Sequence, residues 1–220
     1  MNIFNRLVSI DRRIIFSLIF IGVSIPMFFV IGFYVEITDN VRDVYELIES
    51  QPKGTPIIIS FDYDPASKPE LQPMANAVIE HAFQKKLKVI GMALWPMGVQ
   101  MCNEAFETIT PLFPDLEYGK DYVNLGYKAG GIVVINHLAK DVKGTFPQDA
   151  GGTPIQELPI LKGIDNLERI GFVLSLSAGV PGIKEWIQVV HDAFGRPVLG
   201  GTTAVQAPMV LPYVNEQRQL

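Results

Sequence analysis

Residues 55–61 read TPIIISF, and this stretch decides the fold. Ile57, Ile58 and Ile59 stand in a row, so the run has no polar face. A half-exposed strand would alternate apolar with polar, and a helix would need about 10–12 residues or more. A short β-branched run without a polar face fits a strand covered on both sides. Working outward, Gln51-Pro52-Lys53-Gly54 breaks the chain before it. After it, Asp62 and Asp64 lead into Ser67-Lys68-Pro69-Glu70, which has the form of a capping box with proline at the helix start. Leu71, Met74, Val78, Ala82 and Phe83 follow at helical spacing, and Lys85 and Lys86 close the last turn, where cations are favoured.

The alternation continues down the chain. KVIGMAL at 88–94 predicts a second strand, and Val99 to Leu112 a helix with Cys102, Ala105, Phe106 and Ile109 on one face. DYVNLGY at 121–127 predicts a shorter strand, and Ile132 to Val142 a buried helix. Residues 143–163, rich in Gly and Pro, predict a long surface loop. IGFVLSL at 170–176 predicts a strand, and Pro181 to Phe194 a helix ended by Gly195 at the C′ position. Pro197 to Leu199 opens the last clear strand. Strands alternating with helices imply an α/β fold: a mainly parallel sheet with right-handed crossovers, flanked by helices in three layers, Rossmann-like or flavodoxin-like.

Ahead of this domain, Ile14 to Tyr34 carries no charge over 21 residues. As a helix it would rise about 31 Å, enough for a hydrocarbon core of about 30 Å. Pro26 inside it should kink it. A cleaved signal peptide is the competing reading, but its apolar region would be about 7–15 residues and would end in small residues. Val35-Glu36-Ile37-Thr38 follows here, which favours an uncleaved single-pass anchor. Arg6, Arg12 and Arg13 precede the run, and Glu36, Asp39, Asp43, Glu46 and Glu49 follow it. The positive-inside rule then predicts a cell-membrane protein with a cytoplasmic N-terminus and an extracytoplasmic domain. The expected organisation is a cytoplasmic segment at 1–13, the transmembrane helix at 14–34, a juxtamembrane helix and linker at 35–54, and the α/β domain at 55–220.

Formal net charge is −5, and Lys and Arg never gather into a stripe with interleaved aromatics, which argues against nucleic acid as a partner. Cys102 is the single cysteine, so an intramolecular disulfide is excluded. No Walker loop, dinucleotide-binding glycine fingerprint or zinc spacing is present.

In open α/β sheets ligands bind beyond the carboxyl ends of the strands. That rule selects Asp62 and Asp64, then Trp95, then Ser175, Ser177 and Gly179, then Thr202 and Thr203, as one candidate crevice. Asp62 and Asp64 are the catalytic candidates, because alternate carboxylates after a buried strand can hold Mg²⁺ or supply a nucleophile and an acid. The pattern resembles the first motif of haloacid-dehalogenase-type phosphatases over about ten residues, but Ala66 stands where that family has Thr or Val, and no later acid pair follows a strand. The commoner use of Asp64 and Ser67 is to cap a turn and a helix. The stretch Ala204 to Val214 (AVQAPMVLPYV) is apolar and Pro-punctuated, and raises the prospect of a partner surface.

Four phrases carry a wider resemblance: SFDYDP at 60–65, GKDYVNLGYKAGG at 119–131, SLSAGVPGIKEW at 175–186 and GGTTAVQAP at 200–208. Together they resemble a family of uncharacterised prokaryotic membrane-anchored proteins, over most of residues 55–214. The resemblance implies the anchored α/β architecture and carries no activity with it. Two functions are expected: a non-enzymatic module that binds a protein partner, a second copy or a ligand in a membrane assembly, or else a metal-dependent, phosphatase-like hydrolase at Asp62 and Asp64.

Overall fold

The computed structural model describes residues 11–28 and 36–214. The chain falls into two units, divided between Val41 and Arg42. In the first, helix α1 runs Arg12–Phe28. Its 17 residues do not make the predicted span, since they include two arginines and rise only about 26 Å. The rest of the apolar run, 29–34, lies outside the described residues, as do 1–10 of the N-terminal segment. Among the described residues, no helix is long and apolar enough to cross a membrane.

Helix α2 (Asp39–Ser50) leads into the second unit, where a five-stranded sheet forms. Its strands are β1 (Pro56–Asp62), β2 (Lys88–Ala93), β3 (Tyr122–Tyr127), β4 (Val173–Ser177) and β5 (Val198–Thr202). Every pairing is parallel, in the order β3-β2-β1-β4-β5. This is the Rossmann-type winding, one strand short, rather than the 2-1-3-4-5 order of flavodoxin. The chain moves outward from β1 to β3, then returns to lay β4 on the other side of β1.

The isoleucine run explains the layers. Side chains alternate across a strand, so its residues divide between two cores. Ile57, Ile59 and Phe61 pack with Leu71, Ala75 and Ile79 of α3 (Lys68–Gln84) and with Met101, Cys102 and Phe106 of α4 (Gly98–Ile109). Ile58 joins the opposite core with Val134, Ile135 and Leu138 of α5 (Ile132–Lys140), and with Ile183 and Trp186 of α7 (Ile183–Trp186). After α7 the helix widens into a π turn at Ile187–His191 and ends as α8 (Asp192–Phe194), with Gly195 left-handed at φ 60° as predicted. Gly98 lets α4 start hard against the sheet, since a Cβ there would lie 1.8 Å from the carbonyl oxygen of Phe61.

Two expectations need correction. Residues 143–163 are not a loose surface loop. After the short α6 (Val142–Thr145), Phe146, Ile155, Leu158, Ile160 and Leu161 are buried in the α5–α7 core, and the Ala150 N–H donates to the Asn124 carbonyl on the open edge of β3 at 2.9 Å. The segment therefore covers an edge that would otherwise expose strand hydrogen-bonding groups. The capping box is also not formed: Ser67 makes no side-chain cap, and Glu70 Oε2 accepts instead from the Ala204 N–H at 2.8 Å. The apolar stretch from Ala204 is partly helical, as α9 (Ala207–Val210) and a 3-10 turn at Leu211–Tyr213. Val210 and Tyr213 pack on the core.

Candidate functional site

Strand order decides which predicted residues meet. β4 lies beside β1 with Ser60 opposite Ser175 and Asp62 opposite Ser177, and β5 continues the row with Thr202 opposite Ser177. Period-two alternation turns Ser60 and Asp62 to the same side as Ile58, the side covered by α7. A polar file thus sits at the topological switch point, where a doubly wound sheet has its crevice.

Asp62 is its centre and is fully buried. Its Oδ1 accepts from the Leu94 N–H at 2.7 Å, and its Oδ2 from the Ser60 hydroxyl at 2.7 Å. Loss of hydration pushes its carboxyl up to about 7, with the Glu185 charge adding to the rise, while the donors at Leu94, Ser60 and the Trp186 indole pull the other way. Asp62 therefore ties the end of β2 to β1 from beneath the surface. Its two oxygens face inward, toward the protein's own donors.

The loop after β4 closes over this file. Ser177 Oγ donates to the Gly179 carbonyl at 2.8 Å and accepts from the Gly179 N–H at 3.2 Å. Gly182 approaches so closely that a Cβ would lie 2.0 Å from Ser177 Oγ. Its N–H donates to Glu185 Oε2 at 2.8 Å. The Trp95 indole donates to the Pro181 carbonyl at 3.0 Å, and its ring lies against Gly179. Thr202 Oγ1 donates to the Ser177 carbonyl at 2.9 Å. Thr203 is buried and its carbonyl receives the Gln206 and Ala207 N–H groups. Beside the file lies a slit lined by Ser177, Lys184, Glu185, Thr202, Met209 and Val210.

The structure thus gathers Asp62, Ser175, Ser177, Gly179, Thr202 and Trp95 into one constellation. Asp64 joins none of these bonds, because its Oδ1 accepts from the Ala66 and Ser67 N–H groups and holds the turn into α3. Among the described residues, no three of His, Cys, Asp and Glu gather closely enough to hold a metal ion. Cys102 is buried and its thiol is pushed well up by desolvation. Sequence reasoning missed Ser60, Trp186 and Glu185. Ser60 was findable, since it stands two places before Asp62 on a strand. Trp186 reads as one more apolar residue of a helical stripe.

The rim around the constellation is apolar. Met97 follows β2, Tyr127 ends β3 and Ile132 and Val133 follow it, Val180 follows β4, and Val205, Met209 and Leu211 follow β5, all exposed. Val133 and Val180 are each 70% exposed and Val205 is 83% exposed. In a parallel sheet all of these connections leave from one edge, so the exposed side chains share it.

No family model, curated protein or solved structure matches this chain.

Proposed function

We propose that this protein is a membrane-tethered α/β domain that binds a protein partner in a membrane-associated assembly, through the carboxyl edge of its sheet. The observation that carries this reading is the apolar rim: large apolar side chains from four successive connections are exposed on one edge, where a lone soluble domain gains nothing by placing them. Asp62, Ser60, Ser177, Thr202 and the Trp95 indole spend their bonds on the protein itself, which favours a docking surface over a reaction site.

The tether is the apolar run Ile14 to Tyr34. It enters the lipid bilayer with Arg6, Arg12 and Arg13 on the cytoplasmic side, and the α/β domain lies outside. Phe16, Phe20 and Phe28 of α1 are exposed, as lipid-facing residues would be. A protein held at a membrane needs less affinity per partner contact, because tethering raises the effective concentration of both.

The test is native mass spectrometry of full-length protein extracted gently from its own membrane, beside the triple substitution Val180→Asn, Val205→Asn and Leu211→Asn. These side chains are exposed, so the variant keeps its melting temperature. Loss of the partner's mass from the variant alone supports the edge. An unchanged complex overturns it.

A further inference from the structure

Connections that enter the strands of a parallel sheet meet it at its amino edge, opposite the apolar rim. There the fold assembles a row of cations that no stretch of sequence shows. Lys53 precedes β1, Lys86 and Lys88 lead into β2, Arg169 precedes β4 and Arg196 precedes β5. The backbone sets these entries side by side. The Gly54 N–H donates to the Lys86 carbonyl at 2.9 Å, the Gly171 N–H to the Pro56 carbonyl at 2.9 Å, and the Val173 N–H to the Pro197 carbonyl at 3.0 Å. Four neighbouring strands, about 4.8 Å apart, make the row about 14 Å long. Lys53, Lys86 and Arg169 are exposed, and Lys88 and Arg196 are half-buried. None of the five forms an ion pair with a described residue. The acids nearby have other partners: Glu49 is held by His81 and Lys85, Asp165 by Lys143 with the Arg169 charge close by, and Asp192 by His191. Asp115, Glu117 and Asp121 precede β3, off the end of the row, where Lys120 pairs with Glu117. Glu168 beside Arg169 is the exposed carboxylate left within the row, against five cations.

We propose that this amino edge is a docking surface for the anionic headgroups of the bilayer that holds the tether. Charge complementarity carries the inference. Cations gathered without partners repel one another, and a sheet of phosphates relieves that repulsion. A row spread along an edge matches an extended anionic surface rather than one free phosphate. Nucleic acid fits it less well, because the aromatic residues next to the row in sequence, Phe83, Phe172 and Phe194, are buried or partly buried and leave bases nothing to stack on. The chain also reaches β1 through the middle of the row, since Gln51 to Gly54 join α2 to the first strand. A tether makes weak contacts sufficient, because it keeps edge and headgroups at high effective concentration. The opposite, apolar edge then faces away from the bilayer, open to a partner.

The inference rests on the tether reading and not on the partner reading. Its test places the full-length chain in lipid nanodiscs, either of phosphatidylcholine alone or of equal parts phosphatidylcholine and phosphatidylglycerol, with a trace of lipid carrying a nitroxide on its headgroup. A fluorophore is attached at Pro52→Cys on the amino edge or at Ala129→Cys beyond β3 on the opposite edge, both exposed positions; Cys102 is buried and stays unlabelled. The expected result is stronger quenching at position 52 than at position 129, greater in the anionic discs than in the neutral ones. The anionic excess is lost at high salt, which screens exposed charges, and lost in the triple variant Lys53→Glu, Lys86→Glu and Arg196→Glu. Equal quenching in the two kinds of disc overturns the proposal, as does an excess that survives high salt, whether or not the triple variant folds. An excess unchanged in the folded triple variant overturns it too. A protein that enters neither disc overturns the tether reading and this inference with it, whereas one that enters both discs and is quenched equally overturns this inference alone.

Discussion

At the scale of the residue, Asp62 shows how neighbours decide what a carboxylate is for. The sequence offers it as a strand-end acid, open to substrate or metal. The alternation of β1 turns it inward, and the return of β4 seals it there. Its carboxyl titrates near 7 in the folded domain against an ordinary 3.8, chiefly because burial penalises its charge. The sign of the consequence follows. Between those two values the folded state holds a proton that the unfolded chain has released, so stability falls as pH rises through that window and levels off above it. Asp62→Asn keeps an acceptor for the Leu94 N–H and offers its amide to Ser60 Oγ, and it cannot ionise. Melting temperatures of the two proteins from about pH 5 to about pH 8 are therefore expected to diverge, the unaltered protein losing stability and the variant losing less. Parallel curves would show that Asp62 holds the same proton state folded and unfolded.

At the scale of the element, the strands and the long helices were legible because their signals are local. A β-branched run bounded by Gly and Pro can be read from the residues themselves, as can a helix ended by glycine. Two elements were not legible. Residues 143–163 look like loop because Gly and Pro punctuate them, yet their scattered apolar side chains reach the core one at a time, with no period to betray it. The Ser67 capping box failed because Asp64, closer to the turn, takes the Ser67 N–H, and Glu70 is drawn away to Ala204. That last contact makes a prediction. Glu70 pins the segment after β5, so Glu70→Ala is expected to cost about 0.5–1 kcal/mol and to speed hydrogen exchange over 203–211, while Glu70→Gln keeps the acceptor and most of the protection. Exchange rates unmoved by Glu70→Ala would show that Val210 and Tyr213 hold the segment by packing alone.

At the scale of the whole molecule, the proposed tether separates from the domain in a simple experiment. Removing residues 12–34 is expected to move the protein from the membrane pellet to the soluble fraction, with the melting temperature of the α/β domain unchanged, as measured by fractionation and thermal denaturation. A deletion variant that still pellets with membranes would shift the attachment to the apolar rim.

The sequence by itself determined the alternation of strands and helices, the burial of the first strand on both faces, and the edge of the sheet where polar strand ends collect. These depend on period, length and turn residues, which lie within a few positions of one another. Only the tertiary structure decided that β4 returns beside β1, that Asp62 and Ser177 are therefore neighbours, that Asp64 is not, and that the apolar connections share one rim. Those facts belong to strand order. The choice of partner for a strand is made between segments more than a hundred residues apart, and it rests on the combined burial of both cores rather than on any signal a single stretch of chain can carry.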